Sequence, residues 1–254
     1  MWCTQLASAL EAKFVDRVRD AGRRRITLTE PHPVGEPIEG VLFDFVNTLF
    51  RFDDAAWHAG VYAKTGRAFD ARAQELAARI THLVVDREGL DQDYMMDRSP
   101  LAHRSFYETI YFEATDDREL ATAYYVEMQR SFVPYSDAAS TVDALRAASI
   151  RVGLLSNIGF DLRPTLERNG FTLDAIVLSF EEGRSKPDPR LFALAAARLG
   201  CRAGRTLMVG DDPVSDNGGV SIGIRTMILP EATVQHDKRC YQAVVDMVEM
   251  SVRG

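Results

Sequence analysis

The chain has 254 residues, 46% of them apolar, which is enough for one large α/β domain or for a core domain carrying a smaller inserted one. A formal charge of -7 and a pI near 5.3 leave no basic surplus to displace counterions, which argues against non-specific binding to nucleic acid or an anionic membrane. Cys3, Cys201 and Cys240 lack the C-x-x-C spacing of zinc or redox sites, Glu11 interrupts any signal-peptide core, and no stretch approaches the roughly eighteen apolar residues of a membrane span. A soluble cytoplasmic protein with reduced thiols is expected.

From the N-terminus, Trp2, Leu6, Leu10, Phe14 and Val18 recur at helical spacing and stop at Thr29-Glu30-Pro31-His32-Pro33. Residues 1–38 are therefore expected to form a docked helical extension, with Arg23, Arg24 and Arg25 on a solvated face. Beyond Ile38 the predicted strands are Val41–Phe45, Arg151–Leu155, Ala175–Phe180, Thr206–Val209 and Thr226–Leu229. Helices are predicted at about Ser136–Ala148, Leu162–Asn169, Arg190–Leu199 and Pro213–Ile222. This order implies a Rossmann-like parallel sheet with helical crossovers, whose ligand site lies at the carboxyl ends of the strands.

Between the first two predicted strands, residues 51–135 show no strand-like alternation but carry helical patterns at Ala71–Val85, Arg104–Phe112 and Asp117–Phe132. A crossover needs only about a dozen residues. The excess predicts an inserted helical cap over 51–135, with the core formed by 39–50 and 136–254. Trp57, Tyr62, Tyr94, Phe106, Tyr107, Tyr111 and Phe112 could line a pocket there, although aromatics at this spacing more often form core. His58, Asp53 or Asp54, just beyond the first strand, could serve as an acid, but they read first as solvated residues at the cap entrance.

Four segments carry chemistry. Asp44 follows the first apolar strand, where a carboxylate held at the sheet edge can act as nucleophile or metal ligand, and Thr48 can add a hydroxyl donor. Ser156 and Asn157 follow the second strand; taken alone, local turn formation is the stronger reading of this pair. Lys186 stands out because only four of the 30 basic residues are lysine, and a compact ammonium fits between a carboxylate and phosphate oxygens better than a planar guanidinium does. Asp211, Asp212 and Asp216 repel one another unless a cation or a lysine neutralises them, and an oxygen-only set suits Mg²⁺. Helix capping beside Pro213 would explain Asp212 but not Asp211.

Taken together, Asp44…Thr48, Ser156, Lys186 and Gly210-Asp211…Asp216 resemble the motifs of the haloacid dehalogenase-like hydrolases over about Val41 to Pro230. The resemblance implies attack by Asp44 on phosphorus to give an aspartyl-phosphate, and Mg²⁺ held by Asp44, the backbone carbonyl of Val46 and Asp211. It further implies that Thr48, Ser156, Asn157 and Lys186 surround the phosphoryl group, while Asp212 and Asp216 support the metal and the lysine. Such a protein would act on a small phosphorylated metabolite, and nothing in the sequence speaks to its oligomeric state.

Two positions depart from the family pattern. Valine stands at position 46, where family phosphatases carry an aspartate that protonates the leaving oxygen and activates water, help worth about 10²–10⁴-fold. Asn47 stands where glycine is usual. A weak or specialised phosphatase, acting on phosphoric monoesters or acyl phosphates, is the first expectation. The alternatives are an impaired ligand-binding or regulatory protein on the same scaffold and a dehalogenase, although a dehalogenase has no need of the acidic cluster. A phosphonate-cleaving enzyme would need a cap lysine, for which only Lys64 is present.

Overall fold

The computed structural model describes residues 36–88, 95–230 and 237–253. The expected helix over Trp2–Val18, together with Cys3 and Tyr94, lies outside them. Seven strands follow in chain order: β1 (Gly40–Phe43), β2 (Phe50–Phe52), β3 (Phe132–Pro134), β4 (Arg151–Ser156), β5 (Ala175–Leu178), β6 (Thr206–Gly210) and β7 (Arg225–Ile228).

Five of these form one parallel sheet in the order β5-β4-β1-β6-β7. Strand β1 is its centre and is buried along its whole length, which explains its unbroken apolar sequence. Successive side chains serve opposite faces. Val41 and Phe43 join one apolar layer with Leu154, Val209, Val142 and Val244, whereas Leu42 joins the other with Leu155, Met208, Leu191 and Phe192. The first layer is closed by the Ala138–Ala147 and Gln242–Arg253 helices, the second by the Pro189–Leu199 helix. Phe43 is in register with Leu154 and Val209, so Asp44 leaves the sheet level with the ends of its neighbours.

Three local expectations require correction. Strand β5 stops at Leu178 and the chain turns at once into a short Ser179–Glu182 helix, so Phe180 is not in a strand. The helix expected over Pro213–Ile222 is a 3₁₀ segment starting at Asp216. The insertion is also not free of strands: β2 and β3 pair antiparallel, Phe50 opposite Pro134 and Phe52 opposite Phe132, drawing its two ends together. Strands of three residues are too short for alternation to register.

Between β2 and β3 lie the helices Asp54–Thr65, Ala71–Glu88, Pro100–Thr115 and Arg118–Met128. Their starts are written locally: Asp53, Ser99 and Asp117 accept from the N–H groups of Ala56, Ala102 and Leu120. Trp57, Tyr62, Tyr107 and Tyr111 are buried among apolar neighbours, Phe106 is partly buried and Phe112 is exposed. His58 is also buried, against Trp57 and Tyr124, contrary to the expectation of a solvated residue. Among the described residues no helix is long and apolar enough to cross a membrane.

Ser179 and His103 lie where this helical unit meets the sheet domain. Ser179 Oγ donates to the Asp97 carbonyl at 2.7 Å. His103 lies so close to Gly159 that a Cβ there would meet its Cβ at 2.1 Å, and its ring packs edge-on against Phe160. His103 Nδ1 sits 3.1 Å from the Tyr125 hydroxyl and Nε2 is 3.8 Å from Asp97. Burial pulls its pKa down to about 4. The unfolded chain, with a histidine pKa of about 6.5, therefore takes up the proton first as pH falls. Stability supplied by neutral His103 is complete above that value and drains away down to the folded-state pKa. The difference in unfolding free energy between wild type and His103→Gln, measured in denaturant at pH 7.5 and 5.0, should shrink by about 2 kcal/mol at the lower pH. A difference independent of pH would contradict this account.

Candidate active site

Asp44 remains tied to the sheet by its own N–H, which donates to the Val209 carbonyl at 2.9 Å, so its carboxylate has a fixed origin at the carboxyl edge. The chain then turns tightly, with Leu49 and Phe50 both donating to the Phe45 carbonyl and Val46 forming a bridge to Phe50. Asn47 takes a left-handed φ of 54° at the apex, a conformation that asparagine tolerates better than most residues. This turn buries Thr48 completely. Its carbonyl accepts from the Tyr241 hydroxyl, while its own Oγ1 has no hydrogen-bond partner.

Lys186 reaches this edge from the loop after β5 and is 1% exposed. Its ammonium lies 2.8 Å from Asp44 Oδ1 and 2.6 Å from Asp216 Oδ1. The loop is pinned by Asn157, whose side-chain amide accepts from the Lys186 N–H at 2.6 Å and donates to the Lys186 carbonyl at 3.0 Å. Asn157 therefore holds the backbone that aims the lysine. Ser156 is buried at the end of β4, opposite Leu178.

The acidic residues follow β6. Asp216 is fully buried, and its Oδ2 accepts from the Asp212 N–H at 3.1 Å. Asp212 shapes the turn: its carboxylate accepts from Val214 and its carbonyl from Asp216. Carboxylate oxygens of Asp44, Asp211 and Asp216 all fall within 4.8 Å of one another. Burial pushes Asp44 up to about 6, with Lys186 pulling it down and Asp216 pushing it further up. Burial pushes Asp211 up to about 7, reinforced by Asp44 and Asp216 and opposed by Lys186 and Arg239. Burial acts against the Lys186 ammonium, but Asp216 and Asp44 outweigh it and raise its pKa.

The donor set fits a hard divalent cation. Three converging carboxylates offset by one ammonium leave two negative charges, and all available ligands are oxygens. The unpartnered Thr48 hydroxyl adds a buried donor suited to an oxygen-rich ligand. Asp44, Lys186, Asp211 and Asp216 thus meet. The Val46 side chain instead packs against the apolar layer. Lys64 is ion-paired with Glu127 at 3.0 Å and is partly exposed. The C-terminal contribution was not legible in the sequence: Tyr241 and Arg239 approach this edge from a segment without a motif, far from the four that carry the pattern.

A family model for haloacid dehalogenase-like hydrolases matches residues 38–217. A ribulose-1,5-bisphosphate 5-phosphatase from Halopiger xanaduensis is 30% identical over 212 residues, covering 74% of this chain and 83% of the relative. A pyrimidine 5'-nucleotidase from Escherichia coli is 29% identical over 193 residues, covering 73% and 83%. Among solved structures, an enzyme of the same family from Bacteroides thetaiotaomicron, in complex with magnesium and inorganic phosphate, superposes with a TM-score of 0.53 at 15% identity. That match covers 78% of this chain and 97% of the other and is a likeness of fold.

Gly210 is the position at which the acidic cluster is most easily disturbed. A Cβ there would lie 1.9 Å from Asp216 Oδ2, so Gly210→Ala must push Asp216 away from Lys186. The variant should lose about 1–3 kcal/mol in denaturant unfolding, and its stabilisation by Mg²⁺ in a thermal melt should weaken. An unchanged midpoint would mean that Asp216 can move without cost.

Proposed function

We infer that the chain, which belongs to the haloacid dehalogenase-like hydrolase family, is a Mg²⁺-dependent phosphohydrolase acting on a small phosphorylated metabolite. The observation that carries this reading is the Lys186 ammonium held between Asp44 and Asp216, with Asp211 in the same cluster. Relatives named for sugar-bisphosphate and nucleotide dephosphorylation support the substrate class. The magnesium complex of the structural neighbour supports the ion.

Asp44, Asp211 and the Val46 carbonyl would hold the cation, which when bound neutralises charge on the phosphoryl oxygens. With a pKa raised to about 6, Asp44 is mostly ionised at neutral pH and available as nucleophile. Its oxygen bonds to phosphorus as the bond to the leaving oxygen breaks, giving an aspartyl-phosphate. Water then attacks that phosphorus, releasing inorganic phosphate and restoring the Asp44 carboxylate. Lys186 stays charged throughout and neutralises phosphoryl oxygens together with the Thr48 and Ser156 hydroxyls. The helical unit between β2 and β3 serves as the cap that limits water and selects substrate.

Val46 supplies no proton, so the leaving oxygen must take one from water. Acyl phosphates and aryl phosphates, whose leaving groups tolerate charge, are therefore favoured over alkyl esters. The same valine motivates a second reading, a binding protein that holds a phosphorylated ligand without turnover. A metal-independent dehalogenase leaves the carboxylate cluster without a use.

Phosphate release from acetyl phosphate and 4-nitrophenyl phosphate should be seen with the wild type, and should be abolished by chelator and by Asp44→Asn. Equal release from both proteins would sink the phosphohydrolase. A ligand that raises the melting temperature yet stays intact would favour the binding protein. Val46→Asp should raise turnover of alkyl phosphates by about 10²-fold; no gain in a folded variant would show that the turn aims position 46 away from the leaving oxygen.

A further inference from the structure

Beside Asp211 lies a guanidinium that the reaction described above does not use. Ile228 of β7 pairs with Gly210, and the Leu229 N–H donates to the Gly210 carbonyl at 2.8 Å, so Pro230 continues along the same edge as Asp211. Arg239 Nη1 donates to the Pro230 carbonyl at 2.5 Å, which puts the guanidinium at that edge. Its backbone is fixed on both sides. The Asp137 carboxylate accepts from the Arg239 and Cys240 N–H groups at 3.0 and 2.9 Å, and the Ser136 N–H donates to the Asp237 carbonyl at 2.8 Å. Two residues on, the Tyr241 hydroxyl donates to the Thr48 carbonyl, joining this segment to the turn after Asp44.

The side chain is 6% exposed, and its Nε and Nη2 are buried without a hydrogen-bond partner. Among the described residues no carboxylate lies within 4.0 Å of it to form an ion pair. Its plane is covered by the Tyr135 ring, 5.5 Å from the guanidinium carbon. Stacking on an aromatic ring leaves the in-plane N–H groups available. A buried guanidinium with idle donors and, among the described residues, no carboxylate in contact is unfavourable unless an anion completes it. The charges of the site agree with this. Once a divalent cation balances the three carboxylates and Lys186, Arg239 is an uncompensated positive charge, and its fork geometry suits a carboxylate or phosphate.

We propose that Arg239, backed by Tyr135, is a subsite for a second anionic group on the substrate, a carboxylate or a second phosphate, separate from the phosphoryl group transferred to Asp44. The proposal rests on the phosphohydrolase reading and narrows it to phosphomonoesters of dianionic metabolites. A role only as a counter-charge for Asp211 makes a different prediction, because it would affect every ligand alike.

The test is calorimetric binding to the Asp44→Asn protein in Mg²⁺, which needs no turnover. Propyl phosphate is the single-anion probe, phosphoglycolate supplies a carboxylate and 1,3-propanediol bisphosphate a second phosphate. At least one of the two probes with a second anionic group should bind about tenfold or more tightly than propyl phosphate, in line with a charge-assisted bidentate contact. Which of them does so identifies the group. Adding Arg239→Gln should bring the ratio of dissociation constants toward one, and Arg239→Lys, which keeps the charge but not the fork, should give an intermediate ratio and decides the matter if the glutamine variant does not fold. A ratio preserved in these variants, dissociation constants that rise in parallel for all probes, or no preference in the parent overturns the subsite. Loss of the phosphohydrolase reading would show separately, as equal phosphate release from wild type and Asp44→Asn.

Discussion

Burial of the Lys186 ammonium between Asp44 and Asp216 is the constraint around which the sheet edge is organised. A lysine 1% exposed can stay charged only if its partners are close and fixed. The structure fixes each from a different element. Asp44, leaving β1, is held by the Val209 carbonyl of β6, Asn157 after β4 clamps the Lys186 backbone, and the turn after β6 holds Asp216 through the Asp212 N–H. The glycine at 210 belongs to the same constraint, since any side chain there would occupy the space of the Asp216 carboxylate. Removing one member of such a buried set typically costs about 3–5 kcal/mol, because the others keep their charge without compensation.

The same arrangement leaves the site over-supplied with negative charge, and that imbalance is what gives it chemical character. Burial pushes the Asp211 carboxyl up to about 7, and the Asp44 and Asp216 carboxylates beside it add to this more than Lys186, already shared by those two, takes away. A protein selected for stability alone would replace such a cluster with apolar residues of similar volume. Its place at the carboxyl end of the central strand, where open α/β sheets present ligands, supports the proposed binding of a cation there.

The sheet was legible because its strands are buried on both faces and so read as unbroken apolar runs, and Asp44 and Asp211 because they follow two of those runs directly. Lys186, beyond the Ser179–Glu182 helix, and Asp216, beyond the turn after β6, could be grouped with them through the scarcity of lysine and the spacing of the family pattern. What the sequence hid shares a different cause: it depends on contacts between distant segments. β2 and β3 are too short to show a pattern and pair across the whole insertion. The Asp54–Thr65 helix has an apolar face of Trp57, Val61 and Tyr62 set among alanines, which blurs its periodicity. His58 looks like a solvated residue until Trp57 and Tyr124 are seen to enclose it. Tyr241 and Arg239 carry no local signal, because their relation to Thr48 and Pro230 exists only after the C-terminal segment has returned to the sheet edge.

Val46 brings these threads together. The turn that lets Asn47 take a left-handed φ also bridges Val46 to Phe50 and packs its side chain against the apolar layer that includes Phe45 and Phe132. The turn is thus stabilised by an apolar residue at a position where a carboxylate would add a further negative charge to a site already carrying three. On the proposed reading, Asp44 would forgo the help of a nearby acid, while the turn is tighter and mutual repulsion among the carboxylates is lower. Such a site would have charge neutralisation as its main resource, through Lys186 and a bound cation, and would depend on the leaving group to stabilise its own electrons.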